Sequence, residues 1–188
     1  GLPEETITAI FFDSKDRLWV GTNNGYLSKF NGITFDTVRN LNEIGIYEIY
    51  AIAEGKNGLI WLAGEGGVAS LNPDNDGWTI YSPEYANFPS SAATALAVDT
   101  NGDIFLGTWS DGLIRYDGNA FTTHKVPNVP RYLGYYRIVP APDGKLWFVE
   151  EYANQEIDII DPANEVWSEA PTQDSCCWKP MIWADNGD

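Results

Sequence analysis

Apolar and polar residues alternate with a period of two in short runs, each ended by a polar or glycine-rich turn. Thr8-Ala-Ile-Phe-Phe12 is a β-rich run that stops at Asp13, a turn residue. Leu18 to Thr22, Tyr26 to Phe30 and Thr34 to Val38 follow it. The breaks between them are Ser14 to Asp16, Asn23-Asn24-Gly25 and Asn31-Gly32, the last two being hairpin signals. The pattern predicts four short antiparallel strands joined by tight turns. The same order returns as Glu48 to Ala53, Leu59 to Ala63, Gly67 to Leu71 and Trp78 to Tyr81. It returns again as Ala93 to Val98, Ile104 to Thr108, Leu113 to Tyr116 and Ala120 to His124. A fourth copy runs Tyr136 to Ala141, Leu146 to Glu150, Glu156 to Ile160 and Val166 to Glu169. Lys179 to Ala184 reads as the innermost strand of a fifth. Helical periodicity is absent.

The aromatic anchors of the second strands are Trp19, Trp61, Phe105 and Trp147, spaced 42, 44 and 42 residues apart. Strand-rich copies at this period predict an all-β fold of β-propeller blades. The expected blades cover residues 7–40, 46–82, 92–125 and 135–170, with the next one starting at 178–188. The whole is expected to be a single propeller fragment belonging to a larger propeller. The Trp or Phe on each second strand fills the wedge between blades, where a flat ring buries much area. Gly21, Gly64 and Gly107 follow that strand, where backbones approach closely. A further anchor is expected near position 190. An open arc of blades is expected to expose the packing rings near Trp147 and Trp19, a large apolar surface that needs cover.

Composition adds a sign to the surface. The formal net charge is −16, and the acidic residues fall mostly at turns. Such a surface repels nucleic-acid phosphates and anionic membranes. No run approaches the ~20 apolar residues of a transmembrane helix. Gly1-Leu-Pro-Glu reads as a mature or trimmed start rather than a signal peptide. The only cysteines, Cys176 and Cys177, are adjacent. They either form a vicinal disulfide, remain two thiols, or pair outside this chain.

The repeated stretches Asp13-Ser-Lys-Asp-Arg-Leu-Trp-Val-Gly-Thr22 and Asp99-Thr-Asn-Gly-Asp-Ile-Phe-Leu-Gly-Thr108, with Gly112-Leu-Ile-Arg-Tyr-Asp-Gly118, resemble the two-component regulator propeller family. Copy two has Ala63-Gly64 in place of Gly-Thr, and copy four has Val149-Glu150 there. The resemblance implies a propeller of about seven blades outside the cytoplasm, in the periplasm or at the bacterial surface. It implies a sensor domain or a surface or secretion-linked protein, and binding or scaffolding rather than a defined reaction. The Gly-His and Trp-Asp dipeptides of WD-type repeats are missing.

Blade topology sorts the loops. Turns after the second and fourth strands share one face, here called the first face. It carries irregular, aromatic loops with Tyr85, Phe88, Trp109, Tyr132, Tyr152 and Trp178. Irregular loops on a rigid scaffold are where propellers bind. The expected ligand or partner contacts are Trp109, Asp111, Tyr132, Glu151, Tyr152 and Trp178. Rings beside carboxylates fit a glycan or a peptide. The other expected partners are the remaining blades of the same protein or another subunit.

Catalytic, metal and cofactor sites are not expected. His124, the one histidine, ends an outer strand and reads as a solvated edge residue. Asn72-Pro-Asp-Asn-Asp-Gly77 resembles a calcium loop, but the twelfth position is Pro83 rather than Glu. The Ala-x-Asp-x-x-x-Gly-x-x-x-Trp docking pattern of quinoprotein dehydrogenases is absent. The function expected is a non-enzymatic binding or scaffold propeller. The alternative is a glycan-active hydrolase or lyase built on a propeller, using a carboxylate pair or His124.

Overall fold

The computed structural model describes residues 6–84, 88–109, 111–124, 135–150, 157–164 and 166–169. The first blade contains β1 (Ile7–Phe12), β2 (Leu18–Thr22), β3 (Tyr26–Phe30) and β4 (Phe35–Asn40). The second contains β5 (Glu48–Glu54), β6 (Ile60–Glu65), β7 (Gly67–Asn72) and β8 (Gly77–Tyr81). The third contains β9 (Ala93–Val98), β10 (Ile104–Thr108), β11 (Leu113–Tyr116) and β12 (Phe121–His124). The fourth contains β13 (Tyr135–Pro140), β14 (Leu146–Glu150), β15 (Ile157–Asp161) and β16 (Val166–Glu169). Each blade is a four-stranded antiparallel meander. The first strands pack in succession, β1 on β5, β5 on β9 and β9 on β13, so the four sheets fan around one axis. Among the described residues β13 and β1 are not packed neighbours in this way, and the fan is an open arc. No helix among them is long and apolar enough to cross a membrane.

The period-two pattern explains the packing. Residues paired in register leave the sheet on the same face. In the first blade Phe11, Trp19 and Lys29 share one face, and Ile10, Val20 and Ser28 the other. The Trp19 face meets the second blade's Ile52, Leu62 and Ala69. The Trp61 face of the second blade meets Leu96, Leu106 and Ile114. Phe105 faces Ile138, Leu146 and Phe148 of the fourth. Each wedge thus takes one large ring from the second strand of the preceding blade and a set of aliphatic residues, joined in the second and third wedges by aromatic ones, from the next. The second wedge holds a larger aromatic group. Trp61 stacks on Tyr81 at 5.5 Å, and Tyr81 meets Tyr116 and Phe121. Burial pushes the Tyr81 phenol up to about 12, with the Tyr116 hydroxyl adding to the shift.

This arrangement corrects the expectation for the open edge. Trp19 is buried between the first two blades, because the ring of each second strand points forward along the chain. The surface left open on the first blade is instead its backward face. Ile10 is 66% exposed and Phe12 63%. Ile52, Leu96 and Ile138, which occupy the register position of Ile10 in the other blades, are all buried. Trp147 lies on the forward face of the fourth blade, opposite Val139 and Ile159, and is half-buried.

Turns lock the blades. The Asp13 carboxylate is buried and accepts from Lys15 N, Arg17 N and Trp19 Nε1, each at 2.9 Å, and from Arg17 Nε at 2.5 Å. Asp99 does the same work in the third blade, accepting from Asn101, Gly102 and Asp103 N. Neighbouring turns also touch. The Glu54 carboxylate accepts from Ser14 N and Oγ at 2.6 and 2.8 Å, and Lys56 Nζ donates to the Thr100 carbonyl. Gly21 sits where blades press together, since an added Cβ would lie 2.6 Å from Ile49 Cγ2. A 3-10 helix, Leu41–Ile44, links the first two blades. Asn40 caps it through its side chain, and Gly45 ends it at φ 82°. Its Leu41, with Ile46 beyond it, is buried in the first wedge. Strand periodicity alone did not reveal this turn of helix.

Candidate functional site

The first face is shaped by a repeated irregularity. The pairing of first and second strands slips between Ile7 and Ala9, Ile49 and Ala51, Ala93 and Ala95, and Tyr135 and Arg137. A β-bulge re-aims one residue, and in the first three blades that residue is Thr8, Tyr50 and Thr94. Thr8 Oγ1 donates to the Ile49 carbonyl at 2.6 Å, and Thr94 Oγ1 to the Gly107 carbonyl at 3.4 Å. In the second blade the bulge carries a ring instead. Tyr50 meets Trp109 of the third blade, with centroids 6.1 Å apart and planes inclined at 47°.

Trp109 follows β10 directly and is 48% exposed. Its turn is firmly held. Thr108 Oγ1 donates to the Gly112 carbonyl at 2.8 Å and accepts from Asp111 N at 3.0 Å. The Asp111 carboxylate accepts from Ser90 Oγ at 2.7 Å, which ties this turn to the loop before β9. That loop is itself fixed to the second blade, because Glu65 bridges Ala92 and Gly66 N donates to the Ser91 carbonyl at 2.8 Å. Trp109 is therefore an exposed ring on a rigid mount, and Asp111 serves that mount.

Of the residues expected to bind, the structure brings Trp109 and Asp111 into one turn. Tyr132, Glu151, Tyr152 and Trp178 lie outside the described residues, as do Cys176, Cys177, Tyr85 and the expected fifth-blade strand. Phe88, read as a loop aromatic, is instead buried in the second wedge, edge-on to Phe121 at 5.3 Å. Tyr50 and Tyr47 escaped sequence reasoning. Tyr50 sits inside a run read as plain strand, and the signal that marks it is the bulge shared with Thr8 and Thr94. Tyr47 is 55% exposed beside Glu65, whose carbonyl accepts from Tyr47 N at 2.9 Å.

The remaining candidates are placed elsewhere. His124 pairs with Leu113 at the end of β12 and is half-buried rather than fully solvated. Asp74, in the calcium-like segment, instead pairs with Lys15 at 2.9 Å and Arg17 at 3.6 Å across the blade boundary. Lys15 holds the Asp74 carboxyl below the usual carboxylate range by hydrogen bonding and by its charge. Among the described residues no group of three or more His, Cys, Asp or Glu is placed to hold a metal.

No curated protein matches the chain. The family model described as two component regulator propeller matches residues 1–24. Among solved structures, the extracellular domain of BT3049 of B. thetaiotaomicron, described as a hybrid two component system, superposes with a TM-score of 0.73 at 21% identity. The match covers 91% of this chain and 25% of that one. Virginiamycin B lyase from Staphylococcus aureus superposes with a TM-score of 0.70 at 17% identity, over 89% of this chain and 56% of the lyase. PorZ, a surface component of the type-IX secretion system of Porphyromonas gingivalis, has a TM-score of 0.60 at 15% identity, over 89% of this chain and 29% of PorZ. The chain thus spans between a quarter and just over half of these proteins. It is an all-β array of propeller blades whose first 24 residues match the two component regulator propeller family.

Proposed function

We propose that this chain is part of a larger, non-enzymatic β-propeller that recognises a protein or glycan outside the cytoplasm, as a sensor or surface domain. The observation that carries this reading is the Trp109–Tyr50 pair. A half-exposed indole adds little to folding, yet this one is mounted on a network of hydrogen bonds joining two blades. Preorganised aromatic surface is what binding sites use, since ordering it on binding costs least. The resemblance to sensor and surface-protein propellers supports the location. The open backward face of the first blade supports the larger ring. Ile10 and Phe12 are exposed where every other blade has a neighbour, and a further blade carrying a Trp or Phe anchor would cover them.

A hydrolase or lyase would need His124 or a carboxylate pair turned toward a pocket. His124 ends the outermost strand of its blade, far from the axis, and no observation favours that second reading.

The test is binding of Trp109→Ala and Tyr50→Ala on glycan arrays and in pull-downs from the periplasmic or surface fraction. Loss of a specific partner at unchanged melting temperature is expected. Retention of every partner by both variants would remove the first face as the binding surface.

A further inference from the structure

We propose that the first-face mouth of the second wedge binds a cationic segment of polypeptide, through its arginine or lysine side chains. The inference rests on the reading of this face as a binding surface and gives the ligand a sign.

The mouth is defined by register. Above the bulge, the blades carry equivalent rim pairs. In the first blade these are Thr6 and Asn23, which hydrogen-bond each other through Asn23 N at 3.0 Å and Asn23 Oδ1 at 3.2 Å. In the third they are Ala92 and Trp109, adjoining the Ala93–Thr108 pair. In the second they are Glu48 and Glu65, directly opposite each other. Opposed like charges on neighbouring strands destabilise a sheet. Here the pair replaces the neutral, mutually bonded pair of the first blade. Neither glutamate takes part in an ion pair among the described residues. Six of the described cations are engaged away from this rim. Lys15 and Arg17 hold Asp74 and Asp13, Arg115 holds Asp103, and Lys145 holds Asp143. Lys29 lies over Trp19, and Arg39 over Trp78.

The rings are carried on backbone that neighbours these glutamates. Glu65 bridges Ala92, one residue before the Ala93–Thr108 pair that Trp109 follows, and Tyr47 N donates to the Glu65 carbonyl. Glu48 is two residues from Tyr50, which meets Trp109. A guanidinium or ammonium group gains from an exposed ring face and from carboxylate acceptors together. An acidic ligand would meet two uncompensated charges, and a neutral sugar would leave the like-charge pair unrelieved. The net charge of −16 steers cationic partners toward the molecule.

The probe is a fluorescein-labelled arginine–glycine decapeptide, followed by anisotropy at low and high salt. Saturable binding that weakens with salt is expected. It should fall about tenfold in Glu48→Gln/Glu65→Gln and in Trp109→Ala. Asp36→Asn, which removes a charge from an exposed position on β4, should bind as the parent does. The double Gln variant should melt no lower than the parent, since it relieves repulsion. Equal weakening by Asp36→Asn, or insensitivity to Trp109, would overturn the proposal by showing attraction to net charge alone. Trp109-dependent binding of maltohexaose or an acidic decapeptide, with none of the basic one, would overturn the cationic partner and leave the binding surface standing. If no probe binds in a Trp109-dependent way, the cationic-segment proposal falls.

Discussion

Single residues in this repeat are explained by the company each keeps across a sheet. Ser28 is the clearest case. Its hydroxyl is buried without a hydrogen-bond partner among the described residues, at a position held by Ala69 and Ile114 in the next two blades. A buried hydroxyl without a partner costs about 1–3 kcal/mol. Ser28→Ala is therefore expected to raise stability by about 1 kcal/mol, read as a shift of the urea midpoint; a loss would contradict this account. Asp13 shows the opposite balance. Burial raises its pKa, but hydrogen bonds from Trp19, Arg17 and Lys15 outweigh that and hold the carboxyl below its ordinary 3.8. Its folded-state value is depressed, so its contribution is complete above the unfolded value. That contribution is lost as pH falls through the lower folded value. Asp13→Asn should cost on the order of 2 kcal/mol near neutral pH and flatten the acid limb of a melting-temperature profile below pH 4. A mutant profile parallel to the parent's would refute the assignment. Asp13 was legible as a turn residue in the sequence. Its grip on Trp19 Nε1 was not, because that contact depends on how the turn folds back over the ring.

At the level of elements, alternation and turn chemistry located all sixteen described strands to within a residue or two. Period two and Asn-Gly or Asp-Gly turns are local properties, and hairpins are local structures, so nothing distant needed to be known. The 3-10 helix at Leu41–Ile44 was missed because a single turn carries no periodicity. Its Asn40 cap and its terminal Gly45 were the available signs. The bulges were missed for another reason. A bulge is a mismatch between two strands, and neither strand alone records it. Tyr50 was consequently read as strand filling rather than as the partner of Trp109. Tyr50→Thr, which installs the residue found at Thr8 and Thr94, should keep the bulge and change stability by no more than about 0.5 kcal/mol. It should also increase the mobility of Trp109, measured in a variant whose other indoles are unlabelled by selective ¹⁹F-tryptophan NMR. A large loss of stability would mean that the ring, not the backbone, maintains the bulge.

For the whole molecule, the arrangement of wedges decides which surfaces are finished. Ile10 and Ile52 are the same residue at the same register position, one exposed and one buried. Ile10→Ser with Phe12→Ser should leave the melting temperature nearly unchanged and reduce self-association in sedimentation. Ile52→Ser should destabilise by about 3 kcal/mol or more, as a cavity and a buried hydroxyl combine. Equal effects at the two sites would contradict the open arc. By itself the sequence determined the strands, their turns, the blade period and hence the propeller, because each follows from local alternation and spacing. Only the tertiary structure decided the direction in which the anchors point, and so that Trp19 is covered and Ile10 is not. It alone joined Trp109 to Tyr50 and set Glu48 opposite Glu65. These depend on register between strands and on contact between blades, and a residue's neighbours across a wedge lie some forty positions away, beyond the reach of any local pattern.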